Sequence, residues 1–301
     1  MKKRIIIGAV VLVVAIIIGV GVVLFMSRGG EPSAEESPAQ TKTEQKKEEP
    51  KPKPSSSSST SDRKKKENKR EAERNTDKKF SALIDEGNKN LLSDRTKADR
   101  AFQEALDIAR TDEQRFKAWS GRGMVAKLLE NGDVENIAAQ NMMKLAKSDR
   151  EMANALEASA DAAKNLQDYQ TAVTRYRDAV DYHLKNNNIK MAWTALVEAS
   201  RIMRRNIGDY KGADEALQRA GDIVEKSSGM SESESKQAKF TICVERADTS
   251  RLLGDRDGQL KWNREAVKYN PSWQQTVDMI EREIKAQMQD VEKSAEKENE
   301  S

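Results

Sequence analysis

The chain has 301 residues, 34% of them charged and 5% aromatic, with 53 basic and 50 acidic side chains and a net charge of +3. That near balance argues against an electrostatically driven nucleic-acid binder, which needs a concentrated basic surface, and so few aromatics are thin for a β-rich core. One histidine, His183, and one cysteine, Cys243, exclude a zinc site built from the usual nitrogen and sulfur ligands.

The chain opens with a basic tip, residues 1–4, followed by IIIGAVVLVVAIIIGVGVVLFM, residues 5–26, without a charged or strongly polar side chain. As a helix this segment spans about 33 Å, enough to cross a hydrocarbon core of about 30 Å. The apolar region of a cleavable signal peptide runs roughly 7 to 15 residues and ends in small ones. This one is longer and ends in Leu24, Phe25 and Met26, which predicts a retained single-pass anchor. Lys2, Lys3 and Arg4 precede it, whereas Arg28 alone lies close behind, ahead of Glu31, Glu35 and Glu36. The positive-inside rule then puts the N-terminus in the cytoplasm and the rest outside the cell membrane. Ala15 and Gly19 form a small-xxx-small pair through which two spans would approach as a homodimer. With five Gly or Ala residues in the span, chance alone supplies such a pair.

Residues 27–61 hold five of the six prolines and include EPSAEESPAQTKTEQKKEEPKPKPSSSSSTS, with no aromatic or branched aliphatic side chain. Such a segment buries too little apolar surface to offset its chain entropy, so it reads as a disordered spacer. Its mean reach is on the order of 30 to 40 Å. Residues 62–79 carry nine basic and five acidic side chains. Interspersed signs favour a solvated helix leading into the next domain. The alternative is contact with an anionic envelope polymer or lipid through Arg63–Lys79.

From Phe80 a small-large-small stripe recurs. It stands at Ala98, Phe102 and Ala105, less purely at Ala139, Met143 and Ala146, then at Ala172, Tyr176 and Ala179, and at Ala213, Leu217 and Ala220. A degraded copy keeps Ala266, with Asn263 where the large residue belongs. Positions i, i+4 and i+7 share a helical face, so each stripe lets helices approach and fills the gap between them. The stretches ENGDVE (130–135), NLQDY (165–169), NIGDY (206–210) and LGDRD (253–257) combine glycine or a polar residue with a following aspartate, a helix stop and then an N-cap. The unit is therefore helix–turn–helix, and a period of 33 to 46 residues means a stacked helical array. The chain is all-α: an α-solenoid over residues 80–280, closed by SWQQTVDMIEREIKAQMQ, whose Val277, Ile280, Ile284 and Met288 make one stripe. A charged helix end fills residues 281–301.

At these residues the chain resembles the tetratricopeptide repeat family. Residues 153–186 match its unit without gaps: Leu156, Ala160 and Ala163 on the first helix, Asp168 and Tyr169 at the turn, and Ala172, Tyr176 and Ala179 on the second. Pro271 takes the family's closing place, and Trp119 with Gly123 and Trp193 with Leu196 echo its first helix. The resemblance implies about five helix pairs over 200 residues and protein or peptide partners docked along the first helices. Carried over position by position, the groove candidates are Asn154, Glu157, Asp161 and Asn165, and from less regular copies Lys127, Glu198, Arg201, Asp248 and Arg251. Individually, such residues also read as ordinary polar surface.

No phosphate loop, H-E-x-x-H or calcium loop occurs in the sequence, so no cofactor, metal or enzymatic activity is expected. His183 reads as a helix-end or surface residue, and Cys243 as apolar filler. The expected function is a membrane-anchored interaction scaffold of the bacterial envelope, its array extracytoplasmic or, with the anchor inverted, cytoplasmic.

Overall fold

A computed structural model describes residues 59–299. The apolar segment 5–26, its Ala15/Gly19 pair and the linker up to residue 58 lie outside the described residues. Among the described residues no helix is long and apolar enough to cross a membrane.

Eleven α-helices follow one another among these residues, with no strand. They are α1 Ser59–Asn90, α2 Arg95–Ile108, α3 Asp112–Leu128, α4 Gly132–Leu145, α5 Asp149–Asn165, α6 Tyr169–Lys185, α7 Ile189–Ile202, α8 Tyr210–Lys226, α9 Glu232–Leu252, α10 Arg256–Tyr269 and α11 Gln274–Asn299. A π-turn, Met203–Ile207, extends α7, and a 3-10 turn, Pro271–Trp273, precedes α11. Each helix packs on its neighbours in sequence, giving the pairs α1/α2, α3/α4, α5/α6, α7/α8 and α9/α10, with α11 against α10.

Turn chemistry sets these boundaries. Within the pairs, Asp94, Asn131, Asp168, Asp209 and Asp255 cap the second helix, each side chain accepting a backbone N–H three residues on. The residue before four of these caps is left-handed: Glu130, Gln167, Gly208 and Gly254. Asn187 and Asn188 repeat the arrangement between α6 and α7. The first helices α3, α5 and α9 start instead at capping boxes, Thr111 with Gln114, Ser148 with Glu151 and Ser231 with Glu234, which satisfy two orphan donors reciprocally.

Counting from the second-helix caps recovers the stripe at positions four, eight and eleven. Ala98, Phe102 and Ala105 are buried, as are Ala172, Tyr176 and Ala179, and Ala213, Leu217 and Ala220. The second pair corrects the sequence reading. Its cap is Asn131, not the aspartate of Gly132–Asp133, so its stripe is Glu135, Ala139 and Met142 rather than Ala139, Met143 and Ala146. Matching alanines alone slid that register by four residues, because a glutamate occupies the first small position. In the last pair Asn263 is buried with its amide satisfied, donating to the Gln259 carbonyl at 2.9 Å and accepting from Trp273 Nε1 at 2.9 Å.

The irregular repeat lengths come from helix rather than long loops: α9 has 21 residues, and the π-turn continues α7. Residues 62–79 form part of α1, which runs unbroken from Ser59 into the array. One core cluster spans α5 to α9, around Tyr176, Leu196, Ile202 and Leu217; smaller ones lie at α1–α3 and α3–α5. Phe102 shows the fit between small and large: its ring fills the space a Cβ on Gly87 or Gly121 would need, at 2.6 Å and 2.4 Å. Val277 and Ile280 are buried on the closing helix, as its stripe predicted.

Candidate functional site

The nine candidate residues all lie on first helices, and seven of them belong to two polar networks. In the first, Asp161 on α5 is buried and is the acceptor. Lys127, from the last turn of α3, and the Tyr176 hydroxyl of α6 both donate to it, and Lys164 Nζ lies 3.4 Å away. Burial pushes the Asp161 carboxyl up, but the Lys127 and Lys164 charges and these donors outweigh it and hold it below its ordinary value. The converse holds at Lys127. Desolvation lowers its ammonium, but Asp161 outweighs this and raises it.

Asn165, at the end of α5, donates Nδ2 to Glu135 Oε2 at 2.8 Å. Glu135 is 1% exposed. Burial and the neighbouring Asp161 charge push its carboxyl up to about 7, against the opposing effects of Asn165, Lys127 and Lys164. Glu157 faces His183, whose Nε2 lies 3.1 Å from Glu157 Oε1 without hydrogen-bond alignment. His183 is 1% exposed, which corrects its reading as a surface residue: α6 turns this face into the core beside Val180 and Ala179.

The second network joins α7 to α9. Arg201 donates Nε to Glu245 Oε1 and Nη1 to Glu198 Oε1, each at 2.6 Å. Burial lowers the Arg201 guanidinium, but the Glu245 and Glu198 charges outweigh it and raise it. Arg204, carried inward by the π-turn and fully buried, donates to both Glu245 and Asp248, while its Nε finds no partner. Asp248 also accepts from Arg251 at 2.6 Å. Asn154, half-buried on α5, and Glu157 take no part in either network.

Sequence reasoning missed Glu135, the polar role of Tyr176, and the Arg204–Glu245 pair. Glu135 was findable from its distance to the Asn131 cap. No sequence signal marks the π-turn that buries Arg204, because one extra residue in a helix changes no residue type. The face as a whole offers hydrogen-bonding groups at its surface. Glu198 has one oxygen uncommitted, Glu157 carries no aligned hydrogen bond, and both charges raise the Tyr176 hydroxyl above its ordinary range, after desolvation and Asp161.

No protein-family model matches the sequence, and no curated protein does. Solved structures do match. The apo form of RapI aligns over 64% of this chain and 70% of its own, at 13% identity and a TM-score of 0.52. BtubC (BKLC) from P. vanneervenii aligns over 64% and 79%, at 15% identity and a TM-score of 0.51. A TPR repeats protein from Bacteroides fragilis NCTC 9343 covers 69% and 98%, at 15% identity and a TM-score of 0.33. At these identities the likeness concerns the fold alone. Together with the five helix pairs and their recurring stripe, it gives the described residues a tetratricopeptide-like helical repeat fold.

Proposed function

We propose that the chain is a protein–protein interaction scaffold, tethered by residues 5–26 to a bacterial cell membrane, with its helical array on the extracytoplasmic side. The reading rests on one observation above all. Asn154, Glu157 and Glu198, on the neighbouring first helices α5 and α7, keep hydrogen-bonding capacity that the array does not use. A protein segment laid across these helices meets acceptors there, while the exposed Lys127 and Arg251 supply cationic contacts. The apolar span and the charge asymmetry around it support the tether and its direction.

A photo-crosslinking residue at Asn154, compared with one at Ile137 on the second helix α4, tests the face. Discrete protein adducts from Asn154 and none from Ile137 are expected. Adducts from Ile137 alone, or from neither, would sink the proposal. A C-terminal epitope tag challenged with an impermeant protease on wall-stripped cells tests the side. Loss of the tag before lysis is the expected result, and protection until lysis means a cytoplasmic array.

A second reading has its own support in α1, where Lys65, Lys66, Lys69, Arg70, Arg74, Lys78 and Lys79 are all exposed. A basic helix of this kind suits an anionic envelope polymer or lipid surface. Such binding weakens steeply with salt, whereas peptide recognition on the first helices changes less. Replacing Lys64, Lys65 and Lys66 by Gln with no loss of binding rules it out.

A further inference from the structure

Side chains of α3 and α5 face Glu135 of α4, and α6 reaches it through Asp161. Glu135 occupies the first small position of the second-helix stripe, where Ala98, Ala172 and Ala213 stand in other pairs. At that position the side chain is enclosed by the joint between the second and third helix pairs, so a carboxyl sits where three other pairs pack a methyl group. The groups facing it come from every element around the joint. Lys127 faces it from α3, Asp161, Lys164 and Asn165 from α5, and Tyr176 of α6 reaches it through Asp161. Two acids therefore share two ammonium groups, one amide and one hydroxyl, and only Asp161 receives direct donors from both Lys127 and Tyr176. Glu135 receives a single donor, the Asn165 amide.

We infer that Glu135 makes this joint a pH-sensitive hinge of the array, closed when its carboxyl is protonated and loosened when it ionises. With the proton on, the joint holds one anion, Asp161, between Lys127 and Lys164, and Glu135 is a neutral group bonded to Asn165. Proton loss puts a second carboxylate charge in the joint that already holds Asp161, and with both acids buried the like charges repel. The folded carboxyl is raised to about 7 from 4.5, so protonation favours the folded joint. The stability it contributes is complete below about 4.5 and is lost as pH rises through about 7. In a repeat array each pair touches only its neighbours, so the loosening is confined to this joint.

Amide hydrogen exchange on the full-length chain in detergent micelles, at about pH 5.5 and about pH 8.5 and corrected for intrinsic rates, reads the effect directly, since each unit of pKa difference is worth about tenfold in the opening equilibrium. Protection in α4 and α5 should fall by about tenfold or more at the higher pH, relative to α8 and α9 as internal reference. In E135Q the fall should vanish, with protection staying at the low-pH level throughout. E135A, which places in this pair the residue found at Ala98, Ala172 and Ala213, serves as a second variant should E135Q not fold. H183Q, which removes the chain's only imidazole, should retain the fall. No fall in the parent chain, an equal fall in α8 and α9, or a fall that persists in both Glu135 variants would each overturn the inference. Loss of the fall in H183Q with retention in E135Q would assign the switch to the imidazole instead.

Discussion

Phe102, Tyr176 and Arg204 show three ways in which one side chain holds two helices together. Phe102 lies against Gly87 of α1 and Gly121 of α3, so each glycine is required by a ring rather than by a turn. Gly121→Ala should destabilise the chain by about 1 to 3 kcal/mol, the usual cost of overpacking, read as a lower denaturation midpoint. Tyr176 combines a packing face, which the stripe predicted, with a hydroxyl donated to Asp161, which no stripe predicts. Arg204 is a buried cation held by Glu245 and Asp248. Arg204→Met leaves Glu245 with Arg201 as its remaining cationic partner and should cost about 1.5 to 3 kcal/mol, the worth of a charge-assisted hydrogen bond, read as a lower denaturation midpoint. The packing role of Ala172, Tyr176 and Ala179 was legible because volume and period are written in residue type. The polar roles were not, because each depends on which side chain a neighbouring helix brings opposite.

At the scale of the element, capping residues decide where each helix starts and therefore which residues its face presents. The second pair makes the point: two candidate caps, Asn131 and Asp133, lie two residues apart, and the choice between them sets the whole register of α4. Asn131 accepts the Val134 backbone N–H at 3.2 Å, and Asp133 falls in the first turn. Asn131→Ala should therefore cost about 0.5 to 2 kcal/mol, and Asp133→Ala only the smaller helix-dipole share of about 0.3 to 1 kcal/mol. Equal costs, or the reverse order, would restore the register of Ala139, Met143 and Ala146. The left-handed residue before each cap offers a second check. Gln167 holds a φ of 62° where Gly208 and Gly254 serve in other pairs. Gln167→Gly should stabilise the chain by roughly 0.5 to 1 kcal/mol, read as a higher denaturation midpoint, because the Cβ penalty of the left-handed region exceeds the extra chain entropy of glycine.

For the whole molecule, a one-dimensional stack predicts that damage stays local. Removing residues 274–301 takes away Val277 and Ile280, and should raise amide exchange in α9 and α10 while leaving α5 and α6 near their original protection. Two carboxyls in one joint also pull the pH profile in opposite directions. Asp161, held below its ordinary value of 3.8, contributes stability above that pH and loses it as pH falls further; Glu135 loses its share as pH rises toward about 7. Helix content, the helix–turn–helix unit, the five pairs and the capping stripe were all legible in residue order, since caps, small-residue spacing and the proline-free stretch act within one or two turns of the chain. The choice of the first helices as a docking face came from the family resemblance, because periodicity groups residues on a face without saying which face meets a partner. What only the tertiary structure decided was which charges on the first helices compensate one another, that His183 is buried, and that a π-turn aims Arg204 at α9. Those outcomes depend on contacts between residues about 15 to 45 positions apart, whose cost of burial is set by the neighbouring helix and not by the chain on either side.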